Sequence, residues 1–156
     1  MKTLVVFYSR TGTTKKVANT ISKILDCNSE EIIDTKSRHG VIGYLISGKD
    51  ATLRKLTQIK DIKRRPEIYD LVIIGTPVWA YNMATPIRTY ITLYKERFKK
   101  VAFFCTMGGS GSEKTFKEMK SLCGKKPIGL LELKTKEVVE DKYLEKAKKF
   151  IKNLRR

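Results

Sequence analysis

Thr3-Leu4-Val5-Val6-Phe7-Tyr8-Ser9-Arg10-Thr11-Gly12-Thr13-Thr14 sets an unbroken apolar run directly against a turn rich in hydroxyls. An apolar run without polar alternation marks a strand covered on both faces, as in a parallel sheet flanked by helices. After the turn, Val17, Ala18, Ile21, Ile24 and Leu25 recur at helical spacing and stop near Cys27-Asn28. The same strand-then-helix unit repeats along the chain. Strands are expected at 30–35, around Ile32-Ile33, and at 69–75, 101–106 and 127–133. Between and after them, Ile87, Tyr90, Ile91 and Tyr94 mark one helix, Phe116, Met119 and Cys123 another, and Leu144, Ala147, Phe150, Ile151 and Leu154 the last. This alternation predicts a three-layer α/β/α sandwich around a five-stranded parallel sheet of order 2-1-3-4-5, with ligand loops after strands 1, 3 and 4. Residues 36–67 fit the pattern least. There Ile42, Leu45, Ile46, Leu53, Leu56 and Ile59 suggest a helix broken at Gly43 and Gly48.

The 156 residues suit one domain, 1–156, and a split would leave two marginal cores. No apolar stretch approaches the ~20 residues that span a bilayer, and none resembles a signal-peptide core. A soluble, cytoplasmic protein is the expectation. Cys27, Cys105 and Cys123 form no C-x-x-C pair, and His39, beside Gly40, is the only histidine. Zinc-ligand spacing and a hydrolase triad are therefore both missing. Cys105 follows Val101-Ala102-Phe103-Phe104 and reads as a small buried residue rather than a nucleophile.

Charge is the unusual quantity. Lys and Arg number 33 against 16 Asp and Glu, a net +17. Such a field attracts polyanions: nucleic acid, an anionic membrane or an acidic protein. A Lys-rich surface adapted to heat or salt is the bland alternative, but balanced ion-pair networks would need more acids.

Three loops carry the chemistry. Ser9, Arg10, Thr11, Gly12, Thr13 and Thr14 precede a helix whose unpaired N–H groups and positive dipole end favour a phosphate. Neither G-x-x-x-x-G-K-[ST] nor G-x-G-x-x-G occurs there, so the triphosphate and dinucleotide fingerprints are absent. After strand 3 come Thr76, Pro77, Val78, Trp79, Ala80 and Tyr81, with the only Trp of the chain. Trp79 either stacks on a flat heterocycle or packs beneath the loop as an apolar anchor. After strand 4, Thr106, Met107, Gly108, Gly109, Ser110 and Gly111 leave the backbone open to a polar ring edge. A response-regulator receiver shares the sheet order but needs a phosphorylatable Asp and an acidic cluster where Ser9-Arg10 and Gly75-Thr76 stand.

These stretches resemble the flavodoxin family. Ser9-Arg10-Thr11-Gly12-Thr13-Thr14 matches its phosphate-loop pattern [ST]-x-T-G-x-T. Gly75-Thr76-Pro77-Val78-Trp79-Ala80 with Pro86-Ile87-Arg88 is similar to its second flavin loop, and Phe104-Cys105-Thr106 with Gly108-Gly109-Ser110 to its third. The resemblance implies noncovalent FMN and electron transfer, with residues 9–14 on the phosphate. It also implies that 76–81 flank the ring and that 106–111 line its pyrimidine end.

Two departures stand out. Flavodoxins are typically acidic around the flavin, whereas no Asp or Glu occurs at 71–95 or 99–112, and Arg10 and Arg88 lie close in sequence to the loops. Positive surroundings stabilise the reduced anion, so the second reduction potential is expected to be less negative than the family norm. Residues 36–65 also hold nine Lys or Arg against Asp50 and Asp61, a net +7 where an acidic docking face would be expected. The implied partner is a redox protein with an acidic face. The alternatives are a small FMN-dependent reductase of quinone-like acceptors, with Gly40–Ile46 shaping a pocket or simply covering the sheet, and a nucleic-acid-binding module on the same fold. Lys142–Arg156 and Lys60–Arg65 motivate the last, but no recognised motif accompanies their charge.

Overall fold

A computed structural model describes residues 1–155. β1 (Thr3–Phe7) is buried along its whole length, and its side chains divide between two cores. Leu4 and Val6 enter one core, and Val5 and Phe7 enter the other. β3 (Leu71–Trp79) and β5 (Lys100–Met107) divide in the same way, which is how strands sandwiched between helices must pack. All three run parallel, with Val5 beside Ile73 and Ile73 beside Ala102. The edges are β2 (Asn28–Glu31), short and polar, and β6 (Leu130–Lys134), in which buried and exposed residues alternate. The order β2-β1-β3-β5-β6 is the expected 2-1-3-4-5 once the two-residue β4 (Asn82–Met83) is set aside.

The helices form the outer layers. α1 (Thr13–Leu25), α5 (Thr135–Val139) and α6 (Leu144–Leu154) cover one face through Val17, Ile21, Val138, Phe150 and Ile151. α3 (Thr85–Tyr94) and α4 (Ser112–Cys123) cover the other through Ile87, Tyr90, Phe116 and Met119.

Four local expectations need correction. β2 covers 28–31 in place of 30–35, and its pairing with β1 ends where the Ile32 N–H donates to the Phe7 carbonyl at 2.7 Å. β6 starts later than 127, at Leu130, although Ile128 already donates to the Val101 carbonyl at 2.8 Å and Phe103 to the Gly129 carbonyl at 3.0 Å. The loop expected after Gly75 is instead a continuation of β3 that folds back as β4, pairing Trp79 with Asn82. Finally, residues 40–52 form one uninterrupted helix, α2 (Gly40–Thr52). Gly43 does not break it but lets it approach the preceding chain, for a Cβ there would lie 2.2 Å from the Arg38 carbonyl carbon. Gly40–Ile46 does not simply cover the sheet, because Val41, Ile42, Tyr44 and Leu45 all face solvent.

Candidate functional site

The carboxyl ends of β1, β3 and β5 meet at a cleft of about 270 Å³. It is lined by Arg10, Thr11, Thr13 and Thr14 from the first loop, by Pro77, Val78 and Trp79 from the second, and by Thr106, Met107 and Gly108 from the third. Tyr44 of α2 and Thr135 at the start of α5 complete the wall.

At one end lies the start of α1. Gly12 holds the N-cap position with φ 97°, a left-handed geometry that favours glycine, and it carries no capping side chain. No acid occupies the first turn, so the first N–H groups of the helix are left for an anion. Ser9 shapes this turn, accepting the Gly12 N–H on its hydroxyl at 3.0 Å, and its own side chain borders the adjoining cavity beside β2.

The second wall is a two-residue hairpin turn. Ala80 and Tyr81 both sit at positive φ, 48° and 62°, in the left-handed pattern that matches the twist of a tight hairpin. Non-glycine residues held there store strain, which concentrates where structure serves function. Trp79 is only 7% exposed. Tyr8 meets it edge-on at 5.4 Å between ring centroids, and the Arg38 guanidinium lies 5.3 Å from the ring centre. Trp79 therefore packs as an anchor while presenting part of its surface to the cleft. Tyr81 is 57% exposed and lies against Gly111, where a Cβ would be 3.2 Å from its ring.

Two of the expected contact residues are structural. Thr76 is fully buried, its hydroxyl accepting the Ala84 N–H at 2.9 Å and donating to the Pro77 carbonyl at 2.8 Å. Gly111 caps α4 at φ 109°, where a Cβ would clash with Val78. Gly109 has open space around it. Ser9, Gly12, Thr76, Ala80, Tyr81, Gly109 and Gly111 do not line the cleft, while the other expected residues do. Thr135 escaped the sequence reading, and Tyr44 entered it only within Gly40–Ile46, as part of a pocket for a quinone-like acceptor. Thr135 follows the fifth strand, outside the switch-point loops, and its hydroxyl donates to the Met107 carbonyl at 3.2 Å.

Beneath Trp79 lies a buried ionic cluster. Arg38 donates from Nε to Asp34 at 2.5 Å and from Nη1 to Asp50 at 3.0 Å, and Lys36 reaches Asp50 at 3.1 Å. Burial opposes ionisation of Asp50, but hydrogen bonds from Lys36 and Arg38 outweigh it and hold its carboxyl below the ordinary value. Burial, followed by the charge of Asp34, pushes the Tyr8 phenol up to about 12. Burial likewise pushes the Cys105 thiol up to about 12, which keeps it protonated and unreactive.

The charge lining the cleft is one-sided. Among the described residues no Asp or Glu lines it, and Arg10 is its one cation, with the guanidinium carbon 5.3 Å from the Tyr44 ring centre. Arg88 does not contribute there. It is buried behind β4, donating to Asn82 at 2.9 Å with Glu118 at 3.6 Å. Among the described residues no group of three or more His, Cys, Asp or Glu is placed to hold a metal ion.

Comparison with known proteins follows this geometry. A profile of the flavodoxin family matches residues 2–149. A flavoprotein from Lactobacillus acidophilus NCFM, solved in complex with FMN, is 26% identical with a TM-score of 0.73, over 89% of this chain and 97% of that one. The apo form of the flavoprotein from the same organism is 28% identical with a TM-score of 0.65, over 84% and 91%. Oxidised flavodoxin 2 from Bacillus cereus shares the fold at 17% identity and a TM-score of 0.57, over 98% and 97%. A search of curated proteins finds no match.

Proposed function

The chain belongs to the flavodoxin family, and from that premise we propose that it binds FMN noncovalently in this cleft and carries electrons between redox proteins. One observation carries the reading: three loops, distant in sequence, converge on a cleft with an uncapped helix N-terminus at one end and aromatic side chains at the other. The FMN complex of the Lactobacillus acidophilus flavoprotein supports it. When bound, FMN supplies the redox chemistry, and the protein positions and tunes the ring.

In this reading the N–H groups of residues 10–14 and the hydroxyls of Thr11 and Thr13 bind the phosphate, with Ser9 holding the turn. Residues 77–81 and Tyr44 flank the ring, and 106–109 offer backbone groups to its polar edge. Tyr44 lines the cleft and is well exposed, so its ring is freer to lie against the flavin than Trp79, which Tyr8 and Arg38 hold in place. The partner is a redox protein with an acidic docking face, drawn by the net +17. A reducing, cytoplasmic setting suits the three free cysteines.

A second reading, an FMN-dependent reductase of quinone-like acceptors, draws on the exposed apolar side chains beside Tyr44. NAD(P)H turnover with added quinone, far above that of free FMN, would favour it. The first experiment is the visible spectrum after incubation with FMN and desalting. Retained flavin bands support the assignment, and a colourless protein overturns it.

A further inference from the structure

The outer face of α2 reverses the usual pattern of a surface helix. Val41, Ile42, Tyr44 and Leu45 are 77%, 75%, 61% and 64% exposed, while the buried positions include Gly43, Ser47 and Asp50. Leu53 and Leu56, just beyond the helix, extend the apolar surface. Rotation of α2 to hide these side chains would pull Asp50 and Ser47 away from buried Arg38, and breaking a buried ion pair is costly. The aliphatic face is thus locked outward. Contiguous apolar surface of this kind marks a contact site.

We infer that this face docks on an anionic lipid surface. Lys49 and Lys55 are exposed among the apolar residues, Arg54 stands with them although it is paired with Glu118, Arg10 lies beside Tyr44, and Asp50 is turned inward onto Arg38. Exposed aliphatics on a helix, set among basic side chains, suit insertion at the headgroup boundary of an anionic bilayer. A second copy is disfavoured, since it would bring together two chains of net +17. A nucleic-acid duplex presents charged phosphates outward, which offer nothing apolar to Val41, Ile42 and Leu45. Two of the four basic residues, Lys49 and Lys55, are of a type depleted at protein interfaces, and their flexible stems reach headgroups readily. No helix among the described residues is long and apolar enough to cross a membrane, so the contact is peripheral. Tyr44 belongs both to this face and to the cleft wall, so docking sets the cleft mouth at the lipid surface. The inference does not depend on what fills the cleft.

Co-sedimentation of the purified chain with vesicles tests it. Vesicles of equal parts phosphatidylglycerol and phosphatidylcholine should retain the protein, and vesicles of phosphatidylcholine alone should not. Ile42→Ser combined with Leu45→Ser changes only exposed positions, and should weaken retention by about tenfold or more as apolar insertion is lost. Val139→Ser, exposed on the opposite layer, should leave it unchanged. Three outcomes overturn the inference. The wild-type protein does not bind the anionic vesicles, or the double variant binds as well as wild type, which leaves only a diffuse electrostatic film. In the third, a dimer or a complex with a small acidic iron–sulfur ferredoxin is lost in the double variant while vesicle binding is absent, which assigns the face to a protein.

Discussion

The hydroxyls of Thr14 and Thr106 meet at 2.8 Å in a buried hydrogen bond between residues 92 positions apart. This bond ties the first turn of α1 to the end of β5, so two of the three loops at the cleft are held as one unit. Thr106→Val would leave the Thr14 hydroxyl buried without its partner. The expected cost is about 1–3 kcal/mol of stability, the usual penalty for a stranded polar group, together with weaker FMN binding. Urea denaturation and fluorescence titration with FMN measure the two effects. Unchanged values in both would show that the bond is incidental.

Tyr44 and Trp79 should separate binding from folding. Tyr44 is mostly exposed, so Tyr44→Ala should leave the unfolding midpoint nearly unchanged while weakening FMN binding by about 1–3 kcal/mol. Trp79→Ala removes a buried ring that contacts Tyr8 and Arg38, so it should cost stability first, about 3–5 kcal/mol. Equal effects of the two variants on stability would contradict this division.

Gly111 is expected to tolerate no side chain. At φ 109°, with Val78 Cγ1 2.8 Å from a built Cβ, Gly111→Ala pays both backbone strain and a clash. A loss of about 1–3 kcal/mol is expected by thermal unfolding, along with slower FMN uptake as the third loop shifts away from Tyr81.

The ionic cluster under Trp79 predicts sensitivity to acid. The folded state depresses the Asp50 carboxyl, so its contribution is present above the ordinary carboxylate range and fades as pH falls through the lowered value. Glu118, lowered by Arg54 and Arg88 despite partial burial, acts with the same sign. Stability should therefore drop steeply below about pH 4. Asp50→Asn should lower stability at neutral pH and flatten that acid limb in denaturation curves collected across the range.

Arg10 is the cation lining the cleft, and the flavin potentials should respond to it. Arg10→Glu should make the second reduction potential of bound FMN more negative, on the order of tens of millivolts through a partly hydrated path. Spectroelectrochemical titration reads the shift directly. A less negative potential in the variant would refute the assignment of Arg10 to the ring environment.

Much of this molecule could be read along the chain. The apolar runs at Leu4–Tyr8, Leu71–Ile74 and Val101–Phe104 dictate strands covered on both faces, because continuous apolarity is stable only when helices close both sides. The order of strands and helices then fixes the parallel sheet, and with it the three loops that meet at the cleft. Tertiary structure decided what local pattern cannot. Periodicity places Ile42 and Leu45 on one side of a helix but does not say which side faces inward. That choice was made by Arg38, Asp34, Asp50 and Ser47, whose buried bonds claim the inner side of α2 and leave the aliphatics in solvent. Trp79 likewise could stack or anchor until Tyr8 and Arg38, remote in sequence, closed around it. Short-range pattern reports what a segment can form. Which face is buried depends on partners brought together only by the folded chain.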